Sequence, residues 1–304
     1  MIKQVQYLRG IAAMMVVWAH SMVQVSATPT FIRLPDFGPY GVDVFFVISG
    51  FIMLVTTWDK PMTPREFIWH RIRRVVPLYW LATLLMVGIS MVAPELFKTL
   101  KWDVLSLLKS LFFVPYDSLS FPGSTFPLLV PGWTLNYEMF FYALFAISMF
   151  LGKPLRLPLL AGTLIVLVAD GYVFHPGNVM ARVYTDQRLL EFGAGMILGR
   201  IWVIRKHMRR DGGSAVLMAL GDASYSIYLS HLFTLGALRV LWVRLAPEAT
   251  MASSVGFMAT AMMVCAVAGW LCYRWVERPL TKWISGRSIS IATRLETARR
   301  SYGG

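Results

Sequence analysis

Eight segments of this 304-residue chain, beginning near residues 5, 39, 75, 132, 157, 187, 216 and 252, are apolar over a length that can cross a bilayer core of about 30 Å. Their lengths and gaps predict an all-α fold, a polytopic transmembrane helical bundle of about eight to ten spans. Composition agrees, since 57% of the residues are hydrophobic and only 15% are charged, too apolar for a soluble domain of this length. A further apolar piece, Val104 to Val114, is about three turns long. It is expected as an interfacial or re-entrant helix beside the Pro-rich stretch Phe121 to Pro131.

The net charge of +13 would suit nucleic acid if it were gathered on one surface, but it is dispersed along the chain. Lys60, Arg65, Arg71, Arg73 and Arg74 follow the second span; Arg205, Lys206, Arg209 and Arg210 follow the sixth. Arg278, Lys282, Arg287, Arg294, Arg299 and Arg300 close the chain. Basic residues on alternate connections mark loops kept in the cytoplasm, so both termini are expected inside, with membrane lipid and no nucleic acid as partner. The expected organisation is a transmembrane domain over residues 1–280 and a basic cytoplasmic tail over residues 281–304. A signal peptide competes for the first segment, because Lys3 precedes it and Val25-Ser26-Ala27 has cleavage-site character. A histidine inside the run and the further spans oppose that reading. Cys265 and Cys272 are seven residues apart in the last span and match neither a disulfide framework nor a metal-ligand spacing.

The first span, Tyr7 to Gln24, holds two groups that lipid should exclude, Arg9 and His20. Eleven residues make three helical turns plus about 20°, so both sit on one face with about 16 Å of axis between them. Ionisable side chains inside a span usually face a bundle interior or a wet cavity. The bland alternatives are an arginine anchoring the span at the headgroups and a histidine satisfied between helices.

Other polar groups join them. Asp43 stands about one turn into the second span, where a carboxylate also suits a helix start, and Ser49-Gly50 in mid-span reads as close packing first and a cavity wall second. Glu138 is about 9 to 10 Å into the fourth span. Glu191 is one turn into the sixth, just after Asp186 and Arg188. His20, Asp43, Glu138 and Glu191 are therefore expected in one outer slab of the membrane, although Asp43 and Glu191 also suit ion pairs with Arg182 or Arg188. Arg71, Arg73 and Arg74 crowd the inner mouth of the third span, at the level of Arg9. Guanidinium forks suit phosphate; topology determination and lipid headgroups explain the same cluster without a ligand. Ser224, Tyr228 and His231 form a polar stripe at helical spacing on the seventh span, suited to interhelical hydrogen bonds or to substrate. Glu277 is placed to pair with one of the inner arginines.

Together these pieces resemble acyltransferase family 3, integral membrane proteins that O-acylate extracytoplasmic carbohydrates. Arg9 and His20 match the family's arginine, ten residues, histidine pattern. GVDVFFVISGF, HRIRRVVPLYW, PGWTLNYE, GDASYSIYLSH and WVERP look like its later motifs, in its order, from Tyr7 to Pro279. The compact form looks most like the succinoglycan-type exopolysaccharide acetyltransferases. The family is usually described with ten spans, so the region between Arg205 and Gly221 looks abbreviated.

The resemblance implies transfer of an acetyl group from cytoplasmic acetyl-CoA, as cosubstrate, to a saccharide hydroxyl across the membrane, the acceptor being lipid-linked or polymeric. Arg9, Arg71, Arg73 and Arg74 would hold the CoA phosphates. His20 would take the hydroxyl proton or be acetylated transiently, and Glu138 or Asp43 would orient its ring. Glu191, Arg188, Tyr228 and His231 are the candidate contacts to the acceptor. No metal is expected. A transporter or flippase for an anionic or lipid-linked saccharide is the rival reading, but no counterpart of the Arg9 and His20 pair recurs in the second half. A membrane sensor would leave the clustered carboxylates unexplained.

Overall fold

A computed structural model describes residues 2–25, 35–60, 62–97, 99–205, 214–246 and 250–286. Ser26 and Ala27 of the rival signal-peptide reading, the cations Lys206, Arg209 and Arg210, and the basic tail from Arg287 onward lie outside the described residues. Within them every regular element is helical: α1 Lys3–Val25, α2 Gly38–Trp58, α3 Pro64–Val92, α4 Val104–Leu111, α5 Trp133–Ser148, α6 Lys153–Phe174, α7 Val179–Tyr184, α8 Leu189–Ile204, α9 Ala215–Leu245 and α10 Met251–Cys272. All eight expected spans are helices. Six of the described helices are long and apolar enough to cross a membrane, whereas α5 and α8, with 16 residues each, are shorter than that criterion requires.

The third span begins eleven residues earlier than its hydropathy suggested, and the difference matters for the arginines. Thr63 caps α3 by accepting from the Glu66 amide at 3.2 Å while Glu66 reaches back to the Thr63 amide at 2.8 Å, and Pro64 sits in the first turn. Arg71, Arg73 and Arg74 are therefore helical, not the end of a loop. The expected short helix is α4, started by Asp103 accepting from the Ser106 amide at 2.6 Å. Trp80 of α3 donates to the Leu111 carbonyl at its end, at 2.7 Å, and Val104, Leu105 and Leu108 stay exposed.

Small residues let the spans approach closely. A methyl group at Gly50 of α2 would strike the Phe192 carbonyl of α8, and one at Gly195 of α8 would strike the Val47 carbonyl of α2. Gly221 of α9 faces the Gln6 carbonyl of α1 in the same way. Two apolar cores result. Aromatic residues of α2, α3, α5 and α8 fill the first, with Phe141 stacked on Phe192 at 4.4 Å, and Ala13, Val17, Ile227, Phe257 and Ala261 fill the second between α1, α9 and α10. The polar side chains gather where α1, α2, α5 and α9 meet.

Candidate active site

Two cavities share that meeting place and one wall. The first is lined by Arg9, Arg71, Arg74, Ser49, Glu138 and Tyr142, among others. The second is lined by His20, Asp36, Asp43, Trp133, Arg188 and His231, among others. Val42 and Tyr228 line both. Tyr228 is fixed in place: its hydroxyl donates to the Pro131 carbonyl at 3.1 Å and shares a 2.9 Å hydrogen bond with Thr134 Oγ1.

The basic cavity is built from both ends of the sequence. Arg9 is 7% exposed and donates through Nη1 to Gln6 Oε1 at 2.8 Å, and Gln6 donates onward to Asp222 of α9. Arg71 lies over the Phe67 and Tyr142 rings, 5.2 and 5.8 Å from their centroids, with its Nε buried and unpartnered. Glu138 accepts from Ser49 Oγ at 2.7 Å and from the Tyr142 hydroxyl. A π-helical turn, Tyr273–Glu277, brings the Glu277 carboxylate to Ser226 Oγ at 2.5 Å, within electrostatic range of Arg9 and Arg74. Among the described residues the ion pairs are Arg182 with Asp117 and Arg188 with Asp186, neither of them here. Three guanidinium groups thus stand in one cavity without an ion-paired carboxylate, which gives it room for a polyanion.

Arg73 does not belong to this set. On a helix it stands about 200° round from Arg71, while Arg74 shares the Arg71 face. It lies instead over the Trp69 ring at 6.0 Å. All three arginines were expected at one mouth; Arg71 and Arg74 line this cavity and Arg73 does not.

In the second cavity His20 Nδ1 lies 2.9 Å from the Val16 carbonyl one turn back, so it carries the proton and leaves Nε2 as the nitrogen with a lone pair. His231, fully buried on α9, is held likewise: Nδ1 donates to the Tyr228 carbonyl at 2.6 Å. The two rings meet edge to face, 4.7 Å apart. Arg188 is ion-paired with Asp186 at 3.1 Å and lies 5.3 Å over the Trp133 ring. Asp43 lines this cavity with Glu191 beside it, one Glu191 oxygen being buried without a partner.

The structure therefore separates residues that the sequence put in one slab. Asp43 joins His20 in a cavity, but Glu138 lies on the other side of Tyr228 among the arginines, and a backbone carbonyl orients His20 where Glu138 or Asp43 was expected. Sequence reasoning missed Gln6, Asp222 and Tyr142. Tyr142 follows Glu138 by four residues on one helix, a spacing that could have revealed it. The link from Gln6 to Asp222 spans 216 residues and left no local signal. The polar stripe of α9 has a use that periodicity did not show: Ser224 faces the first cavity, Tyr228 both and His231 the second.

A family model described as an acyltransferase domain matches residues 2–291. The exopolysaccharide production protein ExoZ of Rhizobium meliloti (strain 1021) is 37% identical over 304 residues, covering 83% of this chain and 92% of that protein. The peptidoglycan O-acetyltransferase OatA of Listeria monocytogenes is 29% identical over 191 residues, 54% of this chain and 30% of that protein. A putative peptidoglycan O-acetyltransferase of Bacillus subtilis, YrhL, is 28% identical over 56% of this chain and 30% of its own length. The chain thus matches less than a third of the length of these last two relatives. No solved structure matches it. With a family match over nearly its full length and helices apolar enough to span a bilayer, the chain belongs to the membrane acyltransferases of acyltransferase family 3.

Proposed function

We propose that this protein is an O-acetyltransferase that moves an acetyl group from cytoplasmic acetyl-CoA to a hydroxyl of an extracytoplasmic or lipid-linked saccharide, as in exopolysaccharide modification. The observation that carries the proposal is the shared wall at Val42 and Tyr228, with anion-binding chemistry on one side and a free imidazole nitrogen on the other. The name of ExoZ points to exopolysaccharide and that of OatA to O-acetylation, which supports a saccharide acceptor.

Arg9, Arg71 and Arg74 hold the CoA phosphates; the buried, orphaned Nε atom of Arg71 is a donor that such an anion would satisfy. The narrow, uncharged pantetheine arm carries the thioester past Tyr228 toward His20. The acceptor hydroxyl oxygen then attacks the thioester carbonyl carbon as its proton passes to His20 Nε2. The carbon–sulfur bond breaks with its electrons on sulfur, and the proton goes on to the thiolate, giving an ester and CoA thiol. The Val16 carbonyl holds the ring in the tautomer this needs. Asp43, in the same cavity, stabilises the imidazolium that forms.

Purified protein in lipid nanodiscs, given acetyl-CoA labelled in its acetyl group and surface polysaccharide from cells lacking the protein, should release CoA and label the polysaccharide with an alkali-labile ester. No release and no ester would overturn the proposal.

A further inference from the structure

His231 is buried to 0% exposure, its Nδ1 proton is committed to the Tyr228 carbonyl, and its Nε2 has no hydrogen-bond partner although it belongs to a cavity wall. An unpartnered buried acceptor is costly, so a fold that keeps one has a partner for it that arrives later. His20, its neighbour at 4.7 Å between ring centres, is arranged the same way, with Nδ1 spent on a backbone carbonyl and Nε2 left over. Two neighbouring rings of the cavity wall therefore each keep one lone-pair nitrogen, and each ring is locked by its own helix.

A hydroxyl has a single proton and can satisfy one acceptor; satisfying both takes two donors held close together. Two neutral imidazoles with their protons pointed at carbonyls cannot serve each other. We propose that His20 and His231 read a vicinal diol: the hydroxyl to be acylated donates to His20 Nε2 while the hydroxyl on the next carbon donates to His231 Nε2. This rests on the transferase reading and adds to it the kind of acceptor position that is modified. His231 is then the specificity residue. A site built to hydrogen-bond a hydroxyl discriminates strongly against an acceptor lacking it, because the buried acceptor nitrogen stays unpaired.

The test uses simple probes with the reconstituted full-length protein: trans-1,2-cyclohexanediol, cis-1,2-cyclohexanediol and cyclohexanol as acceptors, with ester formation read by mass spectrometry. At least one diol should exceed the mono-ol in kcat/KM by tenfold or more. His231→Ala should cost at least tenfold more on that diol than on cyclohexanol, with acetyl-CoA titration confirming that the variant is folded. His231→Gln, whose amide can still hydrogen-bond a hydroxyl, should recover most of the diol rate, which a proton relay through His231 would not allow. Equal rates for diols and mono-ol in the parent protein, or equal losses on both in His231→Ala, would overturn the diol reading. So would ester formation on polysaccharide with every diol inert. If neither polysaccharide nor diol is esterified, the transferase reading falls and takes this one with it.

Discussion

The two cavities hold their working groups by different means. In the basic cavity, long side chains are positioned by other side chains: Arg9 by Gln6 and Asp222, Glu138 by Ser49 and Tyr142, Arg71 by two aromatic faces. In the histidine cavity, short rings are positioned by backbone carbonyls one turn back on their own helices. A polyanion can be gripped by groups with some freedom, because charge acts over several ångströms. Proton transfer needs a ring fixed to within a fraction of an ångström. The first arrangement should therefore govern affinity and the second turnover.

The largest effect that would sharpen this division is expected from His20→Ala. Loss of a general base costs about 10² to 10⁴-fold in turnover, or about 2.7 to 5.5 kcal/mol of barrier, and should leave acetyl-CoA affinity nearly unchanged. A folded His20→Ala protein turning over within a few-fold of the parent would return His20 to a packing role. Next in size are Arg71→Lys and Arg74→Lys. Each exchanges a planar fork for a point charge, and with hydrogen bonds to charged groups contributing about 1.5–3 kcal/mol, affinity for acetyl-CoA should drop roughly tenfold or more at similar turnover. Titration showing unchanged affinity in both variants would remove the phosphate assignment. Gly195→Ala should blur the comparison, since a methyl against the Val47 carbonyl forces α2 away from α8. Overpacking of this kind costs about 1–3 kcal/mol and should lower thermal stability while weakening donor affinity and turnover together. If it impaired only one of the two, the cavities would not share a scaffold through α2. The smallest effect belongs to Arg73→Lys, which should change donor affinity less than about twofold, because a position 200° from Arg71 faces away from the cavity. A loss matching that of Arg74→Lys would mean that the three arginines act together after all.

Much of the fold was legible because lipid imposes one rule on every span. Each apolar run became a helix, and α2, α9 and α10 began within a residue of where hydropathy placed them. The start of α3 was not legible from hydropathy because Thr63, Pro64 and Glu66 form a capping box, a signal written in polar residues. The candidate site was legible one residue at a time: Arg9, His20, Asp43, Glu138 and His231 stood out as polar groups in apolar surroundings. Their grouping was not. Depth along a helix can be counted from the sequence, but the side of Tyr228 on which Glu138 falls depends on how α5 is rotated against α2 and α9. That rotation is set by contacts such as Ser49 with Glu138 and Thr134 with Tyr228, between residues far apart in the chain.

The wall at Val42 and Tyr228 carries no formal charge, and this has an electrical consequence for the proposed transfer. Moving one elementary charge through a membrane potential of 100 mV involves about 2.3 kcal/mol of work. If the phosphates stay with Arg9, Arg71 and Arg74 as proposed, the group that passes Tyr228 is a neutral thioester, so acetyl delivery itself would draw nothing from the potential and would not be opposed by it. A cell could therefore decorate its surface polymer at the same rate whether its membrane is energised or not, so long as acetyl-CoA is supplied.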